Sequence, residues 1–316
     1  MSRALRQPDK VSLNLRGQIH TAIRELGYVP NQSARALAAA RADIVGVLIP
    51  SLANHVFSDV VRGLYAGLGN SNLQIQLGNT HYSEDEEERL VRLFARQRPS
   101  ALVVSGIDQT DTTRLLLSEA GCPVIQIMEI GNDPIDLVVG FSQVDCGRVA
   151  AEHLLEQGYR RIAFIAARVD PRAQRRLDGY WAAMKRAGLD DPNLIVTSAV
   201  PTSVSEGRVL FRDALERVPD IDAFFCGNDD IALGVLFECN RAGMAVPERM
   251  GIVGFNDIEM MAIAYPTVTS VRTPRFEIGR RAMNLVRAAL SGTLIEERVV
   301  DLGFELQVRE SSLRRP

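Results

Sequence analysis

Five short stretches of the 316-residue chain carry side chains that could grip a polar ligand. Asn228, Asp229 and Asp230 follow the apolar run Ala223–Cys226. Asn256 and Asp257 follow a second such run. Arg168, Asp170, Arg172, Arg175 and Arg176 cluster after a third, and Asp145 and the group Ser51, Asn54 and Phe57 follow two more. Carboxylates and amides accept hydroxyl protons, and a guanidinium holds a carboxylate or paired hydroxyls through two parallel bonds. Phe57 or Trp181 could cover an apolar face. Together these residue types suit a sugar or sugar acid. Each also has a structural use, because Asn or Asp behind a strand caps the bare N–H groups of the next helix.

What makes them one site is their placement. The sequence alternates short apolar runs with amphipathic segments. Strands are expected at 44–49, 73–77, 101–104, 123–127, 137–139, 161–166, 194–197, 223–226 and 251–254, and helices at 57–68, 84–94, 146–155, 172–187 and 276–290. That rhythm predicts βαβ units on parallel sheets. Nine strands exceed one comfortable sheet, so two doubly wound halves are expected, with a joint at Glu156–Tyr159. Open α/β sheets bind ligands beyond the carboxyl ends of their strands, where all five polar stretches fall. The acidic run Glu84–Glu88 reads as a solvated helix start, favoured by the helix dipole.

Composition narrows the class. The chain is 46% apolar and 24% charged with net charge −3, ordinary for a globular protein and unsuited to blanket nucleic-acid binding. The first 45 residues, however, hold seven basic and three acidic residues, a net +4 that leaves about −7 for the rest. A helix over residues 13–26 is expected there, capped by Ser12 and stopped by Gly27, followed by a short alanine-rich helical piece over 32–39. No apolar stretch reaches the ~18 residues of a membrane helix, and no signal-peptide core is present, so a cytoplasmic protein is expected. The four cysteines and four histidines are scattered, which suggests neither disulfides nor metal. Dinucleotide fingerprints, phosphate loops and nucleophile elbows are missing. Binding is therefore favoured over catalysis, and neither cofactor nor metal is expected.

Six segments resemble the LacI/GalR family of transcription regulators: Tyr28–Asn31, Ile44–Pro50, Gly158–Phe164, Gly227–Gly234, Val246–Pro247 and Ile252–Asp257. They span the chain in the family's order. Pro50–Phe57, Val139–Phe141, Ala167–Asp170, Phe237–Cys239 and Asp301–Phe304 are similar to its gluconate-operon repressor branch. The resemblance implies a helix-turn-helix head, a hinge helix and a dimerising, periplasmic-binding-protein-like core that binds a small effector. It divides the chain into a head remnant over 1–30, a hinge over 31–43 and a core over 44–316. The core's N-subdomain would cover 44–157 plus 268–297, and its C-subdomain 158–267 plus 298–316.

The resemblance implies that Asp145, Arg176, Asp229 and Asn256 contact the effector from one side and Asn54 and Phe57 from the other, with Arg168 or Arg172 on a sugar-acid carboxylate. It implies operator contact through the hinge, with Leu37 wedged into the minor groove beside Asn31, Ala34 and Arg35. Ser2, Arg3 and Arg6 match only the tail of a recognition helix. The expectation is a homodimeric repressor, gluconate as a candidate effector, and weak operator binding by this chain. The alternative is a sensor with the same core and no specific DNA binding.

Overall fold

The computed structural model describes residues 11–26, 42–52 and 55–314. The chain divides into two compact units, 1–43 and 44–316. In the first, α1 (Leu13–Glu25) forms as its spacing predicts, and the Ser12 carbonyl accepts from the Arg16 amide at 2.9 Å. The operator-contact residues Ser2, Arg3, Arg6, Asn31, Ala34, Arg35 and Leu37 lie outside the described residues, as does Asn54.

In the second unit the strands, in chain order, are β1 (Ala42–Ile49), β2 (Gln74–Asn79), β3 (Pro99–Ser105), β4 (Val124–Ile127), β5 (Leu137–Gly140) and β6 (Ile162–Ala167). After them come β7 (Ile195–Ser198), β8 (Ala223–Cys226), β9 (Gly251–Asn256), β10 (Thr269–Arg272), β11 (Val299–Asp301) and β12 (Glu305–Gln307). The helices are α2 (His55–Leu68), α3 (Glu84–Arg96), α4 (Asp111–Ser118), α5 (Gln143–Glu156) and α6 (Pro171–Arg186). Further along lie α7 (Val204–Arg217), α8 (Asp229–Arg241), α9 (Glu259–Ile263) and α10 (Arg275–Ser291).

The strands build two six-stranded sheets, ordered β11-β5-β4-β3-β1-β2 and β12-β10-β9-β8-β6-β7. In the second, β12 runs antiparallel to β10 at the edge, whereas β10, β9, β8, β6 and β7 are parallel. The fully buried runs of β5, β6 and β8 are continuously apolar because both sheet faces are covered by helices, and buried β4 differs only by Gln126, which donates to Gln109 at 2.7 Å. Phe164, Tyr180 and Phe225 interlock under the second sheet, with ring centroids 5.4 and 5.6 Å apart for the two closest pairs. The Tyr180 hydroxyl donates to the Ile162 carbonyl at 2.7 Å, which lets a phenol be buried without an orphaned polar group.

Three helix pairs cross with a glycine on each side: Gly63 and Gly279 between α2 and α10, Gly147 and Gly179 between α5 and α6, and Gly207 and Gly234 between α7 and α8. A Cβ at any of the six would run into a carbonyl oxygen of the facing helix. Backbone therefore packs on backbone at these crossings.

The boundaries between the layers correct the sequence expectation. The chain passes from the first sheet to the second before α5, at residues 141–142, and the expected joint at 156–159 lies wholly within the second layer. There α5 packs on α6 and on β8, β9 and β10, and His153 meets Ser312 at 2.7 Å. The return falls after β10, at 273–274, since α10 packs on α2 and on β3, β4 and β5. A third passage follows β11, so residues 299–301 belong to the first sheet. Helical periodicity says that a segment has an apolar face but not which sheet receives it, and this is why 143–157, 268–272 and 298–301 were expected in the wrong layers. Three short strands, β10, β11 and β12, and the helices α4, α7 and α9 also went unread.

Candidate functional site

Between the two sheets, at the carboxyl ends of their strands, lies a partly open cavity lined by side chains of both layers, where α/β sheets place small ligands. Its second-layer wall starts where β6 ends. Arg168 takes a left-handed backbone (φ 46), with its amide donating to the Ser198 carbonyl at 2.8 Å. Asp170 then caps α6, accepting from the Ala173 amide at 2.8 Å, with Pro171 in the first turn. Helical spacing places Arg172 and Arg176 one turn apart on the cavity face, and both line it together with Arg168.

The three arginines differ in how they are held. Arg172 donates to Asp170 at 2.7 Å and across the cleft to Ser105 Oγ at 2.9 Å, with its guanidinium 5.7 Å from the Phe57 ring. Arg168 stacks over the Tyr82 ring at 4.7 Å. Arg176, 9% exposed, donates to Gln143 Oε1 at 2.5 Å and stacks over Phe255 at 4.2 Å, but its buried Nε has no partner among the described residues. Burial pulls the Arg176 guanidinium below its ordinary value. Burial would raise Asp170, yet the charges of Arg172 and Arg176 hold its carboxyl below the usual range. Among the described residues neither Arg168 nor Arg176 has a carboxylate partner, whereas Arg172 has Asp170 and Arg175 has Asp108. The cavity thus carries two uncompensated positive charges.

Arg168, Arg172, Arg176 and Asn256 are brought to this wall, and Phe57 faces them from the first layer. Asp145 and Asp229 are not. Ser142 caps α5, so Gln143 turns inward, 2% exposed, and Asp145, two residues on and therefore about 200° around the helix, turns outward to Arg148 at 2.8 Å. Trp181 packs against the core and does not line the cavity either. At the end of β8 it is the capping residue Asn228 that reaches the wall, with its side chain accepting from the Ile231 amide at 3.1 Å and donating to Thr202 at 2.6 Å. The sequence marked Asn228 as a cap. An N-cap side chain leans over the helix end, toward anything bound there, and that is the signal by which Asn228 could have been found.

Asp229 lies beneath the wall, 2% exposed. It accepts from Ser270 Oγ at 2.6 Å and from the Ile258 amide at 2.8 Å. These bonds brace a strained turn in which Asn256 (φ 106) and Asp257 (φ 55) are both left-handed, and Arg275 donates to the Asn256 carbonyl. Burial pushes the Asp229 carboxyl from 3.8 up to about 6, against the opposing pull of the Ser270 and Ile258 bonds. Between those two values the folded chain holds a proton that the unfolded chain has released. Linkage then makes this carboxyl's contribution to stability fall as pH rises from 3.8 to about 6, and level off above. The unfolding free energy of wild type relative to Asp229→Asn should show that slope in denaturant titrations at several pH values. A difference flat across the window would contradict the assignment.

Two mostly parallel sheets joined by three passages, with a charged cavity between their strand ends, define a periplasmic-binding-protein-like core. Residues 151–312 match the family model of the periplasmic binding protein-like domain. The HTH-type transcriptional regulator GntR of Pseudomonas aeruginosa is 40% identical over 311 residues, covering 98% of this chain and 91% of that protein. The crystal structure of a LacI-family transcriptional regulator from Silicibacter pomeroyi superposes with a TM-score of 0.92 at 33% identity, covering 99% of this chain and 95% of the other. That of the transcription regulator GntR from Chromobacterium violaceum gives 0.82 at 39% identity over 85% of this chain and 99% of the other. The chain belongs to the LacI family of transcriptional regulators.

Proposed function

We propose that this regulator is a repressor of sugar-acid utilisation genes, with gluconate or a close relative as the effector that alters operator affinity from the inter-sheet cavity. The observation that carries the reading is the pair Arg168 and Arg176, which face the cavity without a carboxylate partner among the described residues. A neutral sugar would leave both charges uncompensated, whereas a carboxylate offsets one of them and accepts charge-assisted hydrogen bonds from the guanidinium groups. Asn228, Asn256 and Thr202 offer amide and hydroxyl groups for the sugar hydroxyls, and Phe57 an apolar face.

Signalling follows from the cleft. Arg168 reaches Tyr82, Arg172 reaches Ser105 and Arg175 reaches Asp108, so α6 and the residues leading into it grip the first layer directly. A ligand bound between the layers changes how favourable that closure is. A differential affinity of about 1–3 kcal/mol between open and closed states is enough for a several-fold to hundredfold response. In a homodimer acting on operator DNA, closure would re-orient the paired first layers and so the segments ahead of them.

Thermal denaturation with a panel of sugars and sugar acids tests this. Gluconate at 100 times its dissociation constant should add about 2.7 kcal/mol of stability and raise the melting temperature, while neutral hexoses should not. A panel in which no sugar acid moves the transition would sink the effector assignment. Mobility-shift assays on the gene's own upstream DNA, with and without gluconate, test the repressor role.

A further inference from the structure

A second, partly open cavity adjoins the first, and Tyr82, Asp170 and Arg172 line both spaces. Its chemistry is the reverse of the first. Where the first presents arginines, this one presents Glu87, Asp108, Gln109, Thr80 and Ser105. Asp108 is engaged by Arg175 at 2.5 and 2.9 Å. Glu87 makes no ion pair among the described residues and is hydrogen-bonded to Gln109. That amide is itself fixed, accepting from buried Gln126 at 2.7 Å and donating to the Gly106 carbonyl at 3.3 Å. Burial pushes the Glu87 carboxyl up to about 7, despite the bond from Gln109, so near neutrality this group can both accept and donate.

From this juxtaposition we infer that the effector spans two compartments, its carboxylate between Arg168 and Arg176 and its hydroxyl-bearing chain running past Tyr82 and Arg172 to Glu87. The inference rests on the sugar-acid reading above and deepens it to a class: an open-chain polyhydroxy acid long enough to reach the second compartment. A short hydroxy acid fills only the arginine side. Glu87 is then a specificity-determining residue, selecting chain length without touching the anionic end.

Isothermal titration of the full chain with potassium gluconate, and displacement by potassium glycerate, test it on wild type, Glu87→Gln and Glu87→Ala. Glycerate shares the carboxylate and its neighbouring hydroxyl but lacks the last three carbons. Wild type should bind gluconate the tighter of the two. Losing the hydrogen bonds to one carboxylate should weaken gluconate about tenfold or more and leave glycerate unchanged, with the unliganded melting temperature of Glu87→Gln close to wild type. Gluconate binding unaltered in both variants, or both acids weakened alike, would overturn the two-compartment assignment alone. Wild type binding neither acid would overturn the sugar-acid reading and this inference with it.

Discussion

Replacing Arg176 by methionine is expected to remove most of the gluconate affinity and yet leave the unliganded protein as stable as wild type or more so. A charge-assisted hydrogen bond contributes about 1.5–3 kcal/mol, so affinity should fall roughly 10- to 150-fold. Stability should move the other way because the unliganded fold bears a cost at this position. The guanidinium is buried, and among the described residues its Nε has no partner and its direct hydrogen bond goes to neutral Gln143. Methionine can occupy much of the same volume over the Phe255 ring without a charge to desolvate. Calorimetric titration and a denaturant curve on one preparation separate the two effects. A variant that loses stability while keeping gluconate affinity would show that Arg176 is a structural residue rather than part of the ligand's anion site.

Gly179→Ala is expected to cost about 3 kcal/mol of stability, at the upper end for overpacking, and to weaken the effector response as well. A methyl group there meets the Val144 carbonyl oxygen, and the Arg148 amide nitrogen at 2.8 Å, both backbone atoms that cannot rotate away. The helices must separate, and they carry the site: α5 starts with Gln143 and α6 bears Arg172 and Arg176. Displacing α6 by a fraction of an ångström would spoil the Gln143–Arg176 bond and the reach of Arg172 to Ser105. Alanine at an exposed helical position such as Gln174 serves as the control and should be close to neutral. Loss of gluconate affinity at Gly179 without loss of stability would contradict the packing argument.

Much of the architecture was legible because its signals are local. Four-residue runs such as Ala223–Cys226 are buried on both faces and so contain no polar residue to obscure them. Asn228 announced a helix start through capping, which needs only the residues of one turn. The strands that escaped notice are the short ones, β10, β11 and β12. Only Val271 of β10, for example, is an apolar residue in that strand, and the strand holds its place by pairing with β9 and β12.

The site was half legible for the same reason. The arginine spacing on α6 put Arg172 and Arg176 on one face, and strand ends pointed to Asn256 and the turn at 228–230. What spacing could not resolve was which member of each polar group faces the ligand. Asp145 and Gln143 differ by about 200° of helix rotation, and only the packing of α5 against α6 through Gly147 and Gly179 sets that rotation. Asp229 looked like the ligand carboxylate, but Ser270, 41 positions away in the chain, draws it beneath the wall.

The sequence alone therefore determined the alternation of strands and helices, the end of the sheets at which a ligand would sit, and the cluster of arginines behind one strand there. The strand alternation and the ligand's end of the sheets depend on near neighbours, which composition and periodicity record; the excess of arginine over carboxylate at the cavity emerged only in the fold. The tertiary structure decided which layer each element joined, which of two adjacent polar side chains reached the cavity, and that a second, acceptor-rich compartment adjoined the arginines. Those depend on contacts between residues far apart in the chain, such as Arg172 with Ser105 and Asp229 with Ser270, and no local pattern encodes them.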